Sequence, residues 1–393
     1  MPDEKGGSPQ SARGEVGASP SGARGSYSSP SVEPLDTRAA VRRRPGMYVG
    51  DVHDGTGLEH MVWEIVANAL DQHLAGYARN VSVSIEPDGV VEVVDDGAGI
   101  PLHEVEVTEV ARRTYLEDVL QRSHDTPTRD HHVPHVHLTT DLHGVGMLPV
   151  AALSSHLEID TVWRGRRARL SLVRGEITSP ITIEPTSRAS GTCVRFLPDC
   201  SVFGDAIVSR ENVAARLREI AWLVPHLELR FCGEVLPGRG GLFELVRSWG
   251  ATEPILATRR EIENATVDLA IGWAPDAQTR IGSFVNYLSS KRGTHVAGLF
   301  EGLADLAEAR DHAFDAGQTR ARVAPGLRAV VHVGLLDPSF GGPTRAHLLS
   351  PLASVVTRRA IVEAHDAPAR RWQPAGAPPP SSAFSQALLR RLT

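Results

Sequence analysis

Glu64, Asn68 and Asp71 stand in the stretch WEIVANALDQ, residues 63–72. On a helix their i, i+4, i+7 spacing puts a carboxylate, an amide and a second carboxylate on one face. Trp63, Ile65, Val66, Ala69 and Leu70 fall opposite and can bury. Three polar residues on a helix are ordinarily a solvated face. This one carries no Lys or Arg, and it must be asked what such a face would hold. A second constellation is VVDDGAGIP, residues 93–101, a strand ending in paired Asp and Gly-x-Gly. The glycines allow backbone shapes and approaches that a Cβ would block. A carboxylate on such a turn can accept a hydrogen bond from an exocyclic amine such as that of adenine, although the same letters also spell a plain turn. The third is LHGVG, residues 142–146, where successive backbone N–H groups at a glycine-rich helix start could cradle a phosphate. Taken singly, the last two are weak signals.

The elements that must position these residues can be sketched from pattern. Residues 58–75 read as the helix, and VSVSI (81–85) and VVEVV (90–94) as strands joined through the turn EPDG. LHGVGMLPVAALS (142–154) is a glycine loop entering an apolar helix. Residues 156–177 read as two strands around an Arg-Gly turn, 191–198 as another strand, 212–224 as a helix and 226–236 as a hairpin arm. Beyond about 237 a second α/β unit is expected, with strands at 266–273, 281–288 and 327–335 and helices at 294–312 and 346–364. Strands and helices mix without strict βαβ alternation, so the class expected is α+β with a largely antiparallel sheet. The ends differ in kind: residues 1–26 are Gly/Ser/Pro/Ala-rich and expected to be disordered, and 366–393 read as a Pro/Ala-rich tail.

Bulk properties bound the rest. The 393 residues suffice for two ordinary domains plus tails, and 41% are apolar, enough for a sizeable core. A net charge of −6 argues against a globally basic nucleic-acid binder, so any such contact must be a local patch. Cys193, Cys200 and Cys232 form no even framework and no CxxC, which fits a reducing cytosol. No apolar run approaches the ~20 residues of a membrane span, and the N-terminus has no hydrophobic core of a secretory signal. A cytoplasmic location without membrane contact is expected.

In this order, the three constellations, with the strand opened by Gly191 and Thr192, resemble the four ATP-site motifs of the GHKL superfamily. VRRRPGMYVGDVHDGTGLEHMVWEIVANALDQ resembles the opening of the ATPase domain in the DNA gyrase and topoisomerase IV B-subunit family. SKRGTHVAGL (290–299) resembles a stretch of that family's transducer domain. The resemblance runs from about Tyr27 to about residue 362. It implies a GHKL α/β sandwich over 27–236 and a ribosomal-protein-S5-like transducer over 237–365. It implies ATP and Mg²⁺ as ligands, with Glu64 as the general base and Asn68 as the Mg²⁺ ligand. Asp71 would support the site floor, and Asp95 would read adenine with Thr192 beside it through a shared water. Gly97, Gly99 and Ile100 would form the close turn against the nucleotide, and Leu142, His143, Gly144, Val145 and Gly146 would supply phosphate-binding amides. Tyr27 falls in register with the arm tyrosine that reaches the partner's nucleotide in the closed dimer. A Lys on the Glu64 face would compete with the metal, which answers the opening question.

Several positions depart from the family pattern. Thr140 and Asp141 replace the lid's usual glycine pair, and an Asp near phosphates adds repulsion on the order of 1 kcal/mol. The lid's lysine-containing segment is replaced by the His-rich RSHDTPTRDHHVPHVH (122–137). His131, His132, His135 and His137 could ligate Zn²⁺ or Ni²⁺, but Pro134 breaks the helix that would align them, and a mobile polar lid is the favoured reading. The γ-phosphate lysine of the transducer is matched by Arg345, which keeps the charge but not the geometry. Ala98 stands where the family has an arginine, and Gln72 where it has that arginine's acidic partner, so both halves of one ion pair are gone together.

The function expected is Mg²⁺-dependent ATP hydrolysis with ATP-driven homodimer closure, in a protein that supplies the ATPase part of a type II topoisomerase. DNA and a gyrase-A-like cleavage protein would be reached through another chain. The chain ends soon after its transducer helix, so topoisomerase activity is not expected from it alone. The alternative is a stand-alone ATP-gated clamp or regulatory module with no topoisomerase role.

Overall fold

The computed structural model describes residues 37–106, 112–121, 136, 138, 146–309, 314–342, 345–366 and 381–392. The helix Thr56–Leu74 is the centrepiece of its first half. Asp54 accepts hydrogen bonds from the Thr56 amide (2.9 Å) and hydroxyl (2.6 Å), and the amide is one of the donors that the helix start leaves unpaired. Leu58, Met61, Val62, Ile65, Val66, Ala69 and Leu70 are buried, whereas Glu64, Asn68, Asp71 and Gln72 are only partly so. The face that was expected to be polar is therefore the one that stays open.

That helix packs on a nine-stranded sheet. Asn80–Ile85 and Val91–Asp95 pair antiparallel, and Val91–Asp95 pairs antiparallel with Gly191–Pro198. Ser154–Trp163 follows beside Gly191–Pro198, then Arg166–Val173, again antiparallel. Alternation along Asn80–Ile85 buries Val81, Val83 and Ile85. One parallel pair, Asn80–Ile85 with Glu228–Phe231, joins the helix Arg210–Leu223 to the same layer. The register puts Asp95 opposite Thr192, the last pair of its ladder.

The second sheet has five strands. Leu327–Gly334 is buried at every position and runs between Ala265–Trp273 (antiparallel) and Arg280–Val285 (parallel). Thr294–Glu308 and Pro351–Asp366 pack against one another and against this sheet. The mixed, mainly antiparallel architecture is the α+β class expected.

Two local expectations are corrected, and one strand is added. Residues 281–288 do not form one strand: the chain leaves the ladder at Val285, turns through Asn286 (φ 47°) and Tyr287 (φ 70°), and returns as Leu288–Ser289. The Asn286 side chain fixes this turn by bonding both the amide and the carbonyl of Leu335, at 2.8 Å each. The strand Thr252–Ile262 escaped notice because Arg259, Arg260 and Glu261 break its apolar pattern and its pairing shifts register between Thr252 and Leu256. The segment expected as a tail over 366–393 ends in a helix, Ser381–Leu392. Its Phe384, Leu388 and Leu392 are buried in the core of the second sheet, with Phe384 ring-to-ring 5.4 Å from Trp273.

Candidate active site

A cavity of about 260 Å³ lies between the open face of Thr56–Leu74 and the ends of Val91–Asp95 and Gly191–Pro198. Asn68, Asp71, Asp95, Gly99, Ile100, Gly146 and Thr192 all line it. The structure thus gathers residues from four separate stretches of the sequence. Gln72, Tyr115 and Met147 are also in the wall.

The paired aspartates divide their roles. Asp96 accepts the amides of Arg79 (2.7 Å) and Asn80 (2.8 Å) and the Asn80 side chain (2.6 Å). Burial works against its charge, but these bonds outweigh it and hold the carboxyl below the usual carboxylate range. Asp96 is a strap between strands. Asp95 faces the cavity; burial pushes its carboxyl up to about 6, with the charge of Asp96 adding to the rise. The Gly97 amide, 2.8 Å from Oδ1, and the Thr192 backbone counter in part. Among the described residues no cation pairs with Asp95, and a carboxylate has lone pairs enough to accept a further donor from the cavity.

The turn beyond Asp95 is fitted tightly. At Gly97 a Cβ would meet Asp95 Oδ1 at 2.7 Å and the Gln72 Cβ at 2.8 Å. At Gly99 φ is +79°, and a Cβ would fall 2.0 Å from the Val162 carbonyl oxygen. Gly99→Ala is therefore expected to cost about 1–3 kcal/mol in backbone strain, with overpacking adding to it. Denaturant titration should show the unfolding free energy fall by at least that amount; an unchanged value would mean the turn is not held as described. The next amide, Ile100, donates to Thr161 Oγ1 at 2.9 Å, and Thr161 Oγ1 lies 3.2 Å from Thr192 Oγ1. Thr161 is fully buried and sequence reasoning missed it. Its partners are remote in sequence, and a Thr in a strand is unremarkable by type.

On the helix, Asn68 lines the cavity, and its side chain bonds no other among the described residues. Asp71 accepts the amide of Val136 at 2.9 Å, so it holds the backbone at that residue. Glu64 does not line the cavity but stands one turn before Asn68 on the same face. Its Oε1 lies 3.2 Å from His60 Nε2, near enough to steer the carboxylate, although the angle is not that of a hydrogen bond. His60 was also missed; the i, i+4 relation to Glu64 was its signal. Where the resemblance implies an ion pair, the Gln72 side-chain oxygen instead accepts the Ala98 amide at 3.0 Å, a neutral contact.

Some expected site residues are not brought together. Arg345 does not line the cavity; its guanidinium lies 5.4 Å from the ring centre of Phe340, and burial lowers its pKa. Tyr27, Leu142, His143, Gly144 and Val145 lie outside the described residues, as do Thr140, Asp141 and the lid histidines His131, His132, His135 and His137. Among the described residues no three His, Cys, Asp or Glu side chains gather as a metal-ligand group, and no helix is long and apolar enough to cross a membrane.

The donor set suits an adenine nucleotide. A buried carboxylate wants a donor, a threonine pair offers hydroxyls, and a glycine turn allows close approach. The Asn68 amide oxygen suits a hard cation.

Comparison with known proteins agrees. Residues 53–201 match the family model described as histidine kinase-, DNA gyrase B-, and HSP90-like ATPase, and residues 242–367 match the DNA gyrase B model. The mitochondrial DNA gyrase B-subunit of Arabidopsis thaliana is 34% identical over 86% of this chain and 49% of its own length. The type 2 topoisomerase B-subunit of Aquifex aeolicus is 33% identical over 82% and 42%. The chain therefore spans about half the length of the curated relatives it matches. Among solved structures, the 43K ATPase domain of Thermus thermophilus gyrase B, in complex with an aminocoumarin, superposes with a TM-score of 0.72 at 25% identity, covering 91% of this chain and 94% of that one. The gyrase B-subunit of Myxococcus xanthus gives 0.67 at 25% identity, covering 90% and 99%. With its cavity geometry, its two successive family matches and these relatives in agreement, the chain belongs to the GHKL ATPases as a gyrase-B-like protein comprising the ATPase and transducer regions.

Proposed function

We propose that this chain binds ATP in the 260 Å³ cavity, hydrolyses it with Mg²⁺, and closes into a homodimer when the nucleotide is bound. The observation that carries this is the convergence of Asp95, Thr192, Asn68 and the Gly99 turn on one cavity. Asp95 accepts the adenine amine, and Thr192, aligned by Thr161, holds the water between base and carboxylate. Asn68 would hold Mg²⁺, whose charge offsets that of the phosphates when bound. Glu64, steered by His60, orients the attacking water and takes its proton. The names of the relatives support a role as the ATPase part of a type II topoisomerase, with DNA and a gyrase-A-like protein as partners reached through another chain.

Sedimentation tests the closure. The non-hydrolysable analogue of ATP should shift the protein from monomer to dimer, because a ligand favours the state that binds it. Deleting residues 1–35, which include Tyr27, should weaken that shift and leave the fold intact, since the first described helix begins at Thr37. A protein that remains monomeric at tens of micromolar with the analogue bound would refute closure. If the analogue does not bind at all, the site assignment itself fails.

A further inference from the structure

Three arginines follow one another at Arg42, Arg43 and Arg44, and they are not equivalent. Arg43 and Arg44 are exposed, whereas Arg42 is partly buried. It leaves the helix Thr37–Arg43 beside the fully buried Val41. Its guanidinium spans two partners. Nη1 donates to the Ala152 carbonyl at 2.7 Å, and Nη2 donates to Asp199 Oδ2 at 2.6 Å. Two nitrogens in one rigid plane fix both partners at once, which a single ammonium does not.

Ala152 is the last residue of the helix Met147–Ala152. Carbonyls at a helix end lack partners within it. That of Ala152 is taken by Arg42, and the next two are taken as well: Leu153 by the Asp199 amide at 2.9 Å, and Ser154 by the Arg174 amide at 3.0 Å. Asp199 is itself buried, and its Oδ1 accepts the Ser201 amide and hydroxyl. Burial works against its charge, but bonds from Ser201 and Arg42 outweigh it and hold the carboxyl below the usual range. Arg42 therefore faces a charged partner.

The other end of the same helix is in the nucleotide cavity. Gly146, just before it, and Met147 line the wall together with Asn68 and Asp95. The helix has 6 residues, all of them buried, and spans about 9 Å. So short and enclosed a helix moves as a unit, and whatever grips Ala152 sets where Gly146 and Met147 stand. We propose that Arg42 is a positioning residue for the nucleotide cavity: by gripping Ala152 and Asp199 together, it holds the wall at Gly146 and Met147 in place to receive the ligand. Arg42 does not itself line the cavity, so its effect passes through the helix.

The full chain has four methionines. The methyl signal of Met147 reports the cavity wall, and that of the fully buried Met61 reports the core behind it. Met147→Leu and Met61→Leu assign the two signals. Arg42→Gln should move or broaden the Met147 signal and leave Met61 in place. Arg43→Gln, which removes the same charge from the exposed neighbouring position, should change neither. By calorimetry, ATP affinity should fall roughly fivefold or more in Arg42→Gln and stay within about twofold of the parent in Arg43→Gln. Arg42→Lys keeps the charge without the two-pronged grip and should fall between. An unmoved Met147 signal, equal movement of Met61, or unchanged ATP affinity in Arg42→Gln would each overturn the proposal. The calorimetric arm rests on the nucleotide reading, whose own failure shows separately as absence of ATP binding to the parent protein; the methyl signals then decide alone. If Arg42→Gln does not fold, Arg42→Lys decides: a moved Met147 signal supports the role and a parental one refutes it.

Discussion

Glu64→Ala should retain nucleotide affinity near that of the parent protein while its turnover falls by ~10²–10⁴-fold. The separation follows from geometry. Glu64 stands outside the cavity wall, so its removal subtracts no contact with base or ribose. It shares a helix face with Asn68, so in the proposed binding mode it would act on a water at the phosphate end. His60 reinforces this: a side chain 3.2 Å from Oε1 limits where the carboxylate can point. The measurement pairs calorimetric binding of ATP with steady-state phosphate release. Unchanged release in the variant would mean that another group activates the water. Lost binding would mean that Glu64 holds the nucleotide rather than the water.

Asp95→Asn should weaken ATP binding by ~10–100-fold, the equivalent of a charge-assisted hydrogen bond of ~1.5–3 kcal/mol. An amide offers one acceptor oxygen where the carboxylate offers two, and it carries no charge. The pH dependence has a definite sign. The carboxyl titrates at about 6 in the free protein, so affinity should be flat above neutrality and decline as pH falls through 6. Stability moves the other way. A carboxyl whose folded pKa is raised above its unfolded value of 3.8 favours the folded state below 3.8, and that contribution is lost as pH rises through about 6. The unliganded Asn variant should accordingly show no loss of thermal stability at pH ~7.5, because it removes a buried charge. Equal ATP affinity in the two proteins, or a lower melting temperature with normal affinity, would make Asp95 a structural residue and displace adenine from this end of the cavity.

The parts of this site legible in the sequence are those where local period and chemistry coincide. Thr56–Leu74 could be placed because its apolar residues recur at helical spacing and its polar ones share a face. Asp95 is told from Asp96 only by its place in the family motif; the physical difference lies in bonds from Asn80 and Arg79 to Asp96 across the sheet, which pattern does not show. Thr161 could not be found, because its role depends on strand register with Thr192 and on the Ile100 amide. The turn at Asn286–Tyr287 was hidden because a bulky Tyr is an uncommon choice at positive φ. The helix Ser381–Leu392 was hidden by the prolines before it, although Phe384, Leu388 and Leu392 keep helical spacing. Arg345 shows the converse: a motif position can be recognised while its side chain rests elsewhere, here over Phe340.

The Gln72–Ala98 bond has a consequence for ionic strength. An ion pair across the base end of the cavity would be screened by added salt, and its geometry would soften as salt rises. A neutral amide accepting from a backbone N–H has nothing for counter-ions to screen. In the proposed binding mode, the wall beside the purine should therefore hold its shape as salt rises. In that mode, the salt sensitivity of nucleotide binding should come from the carboxylates of the cavity and from the phosphates. Adenosine, which has no phosphates, becomes the ligand whose affinity potassium chloride disturbs least.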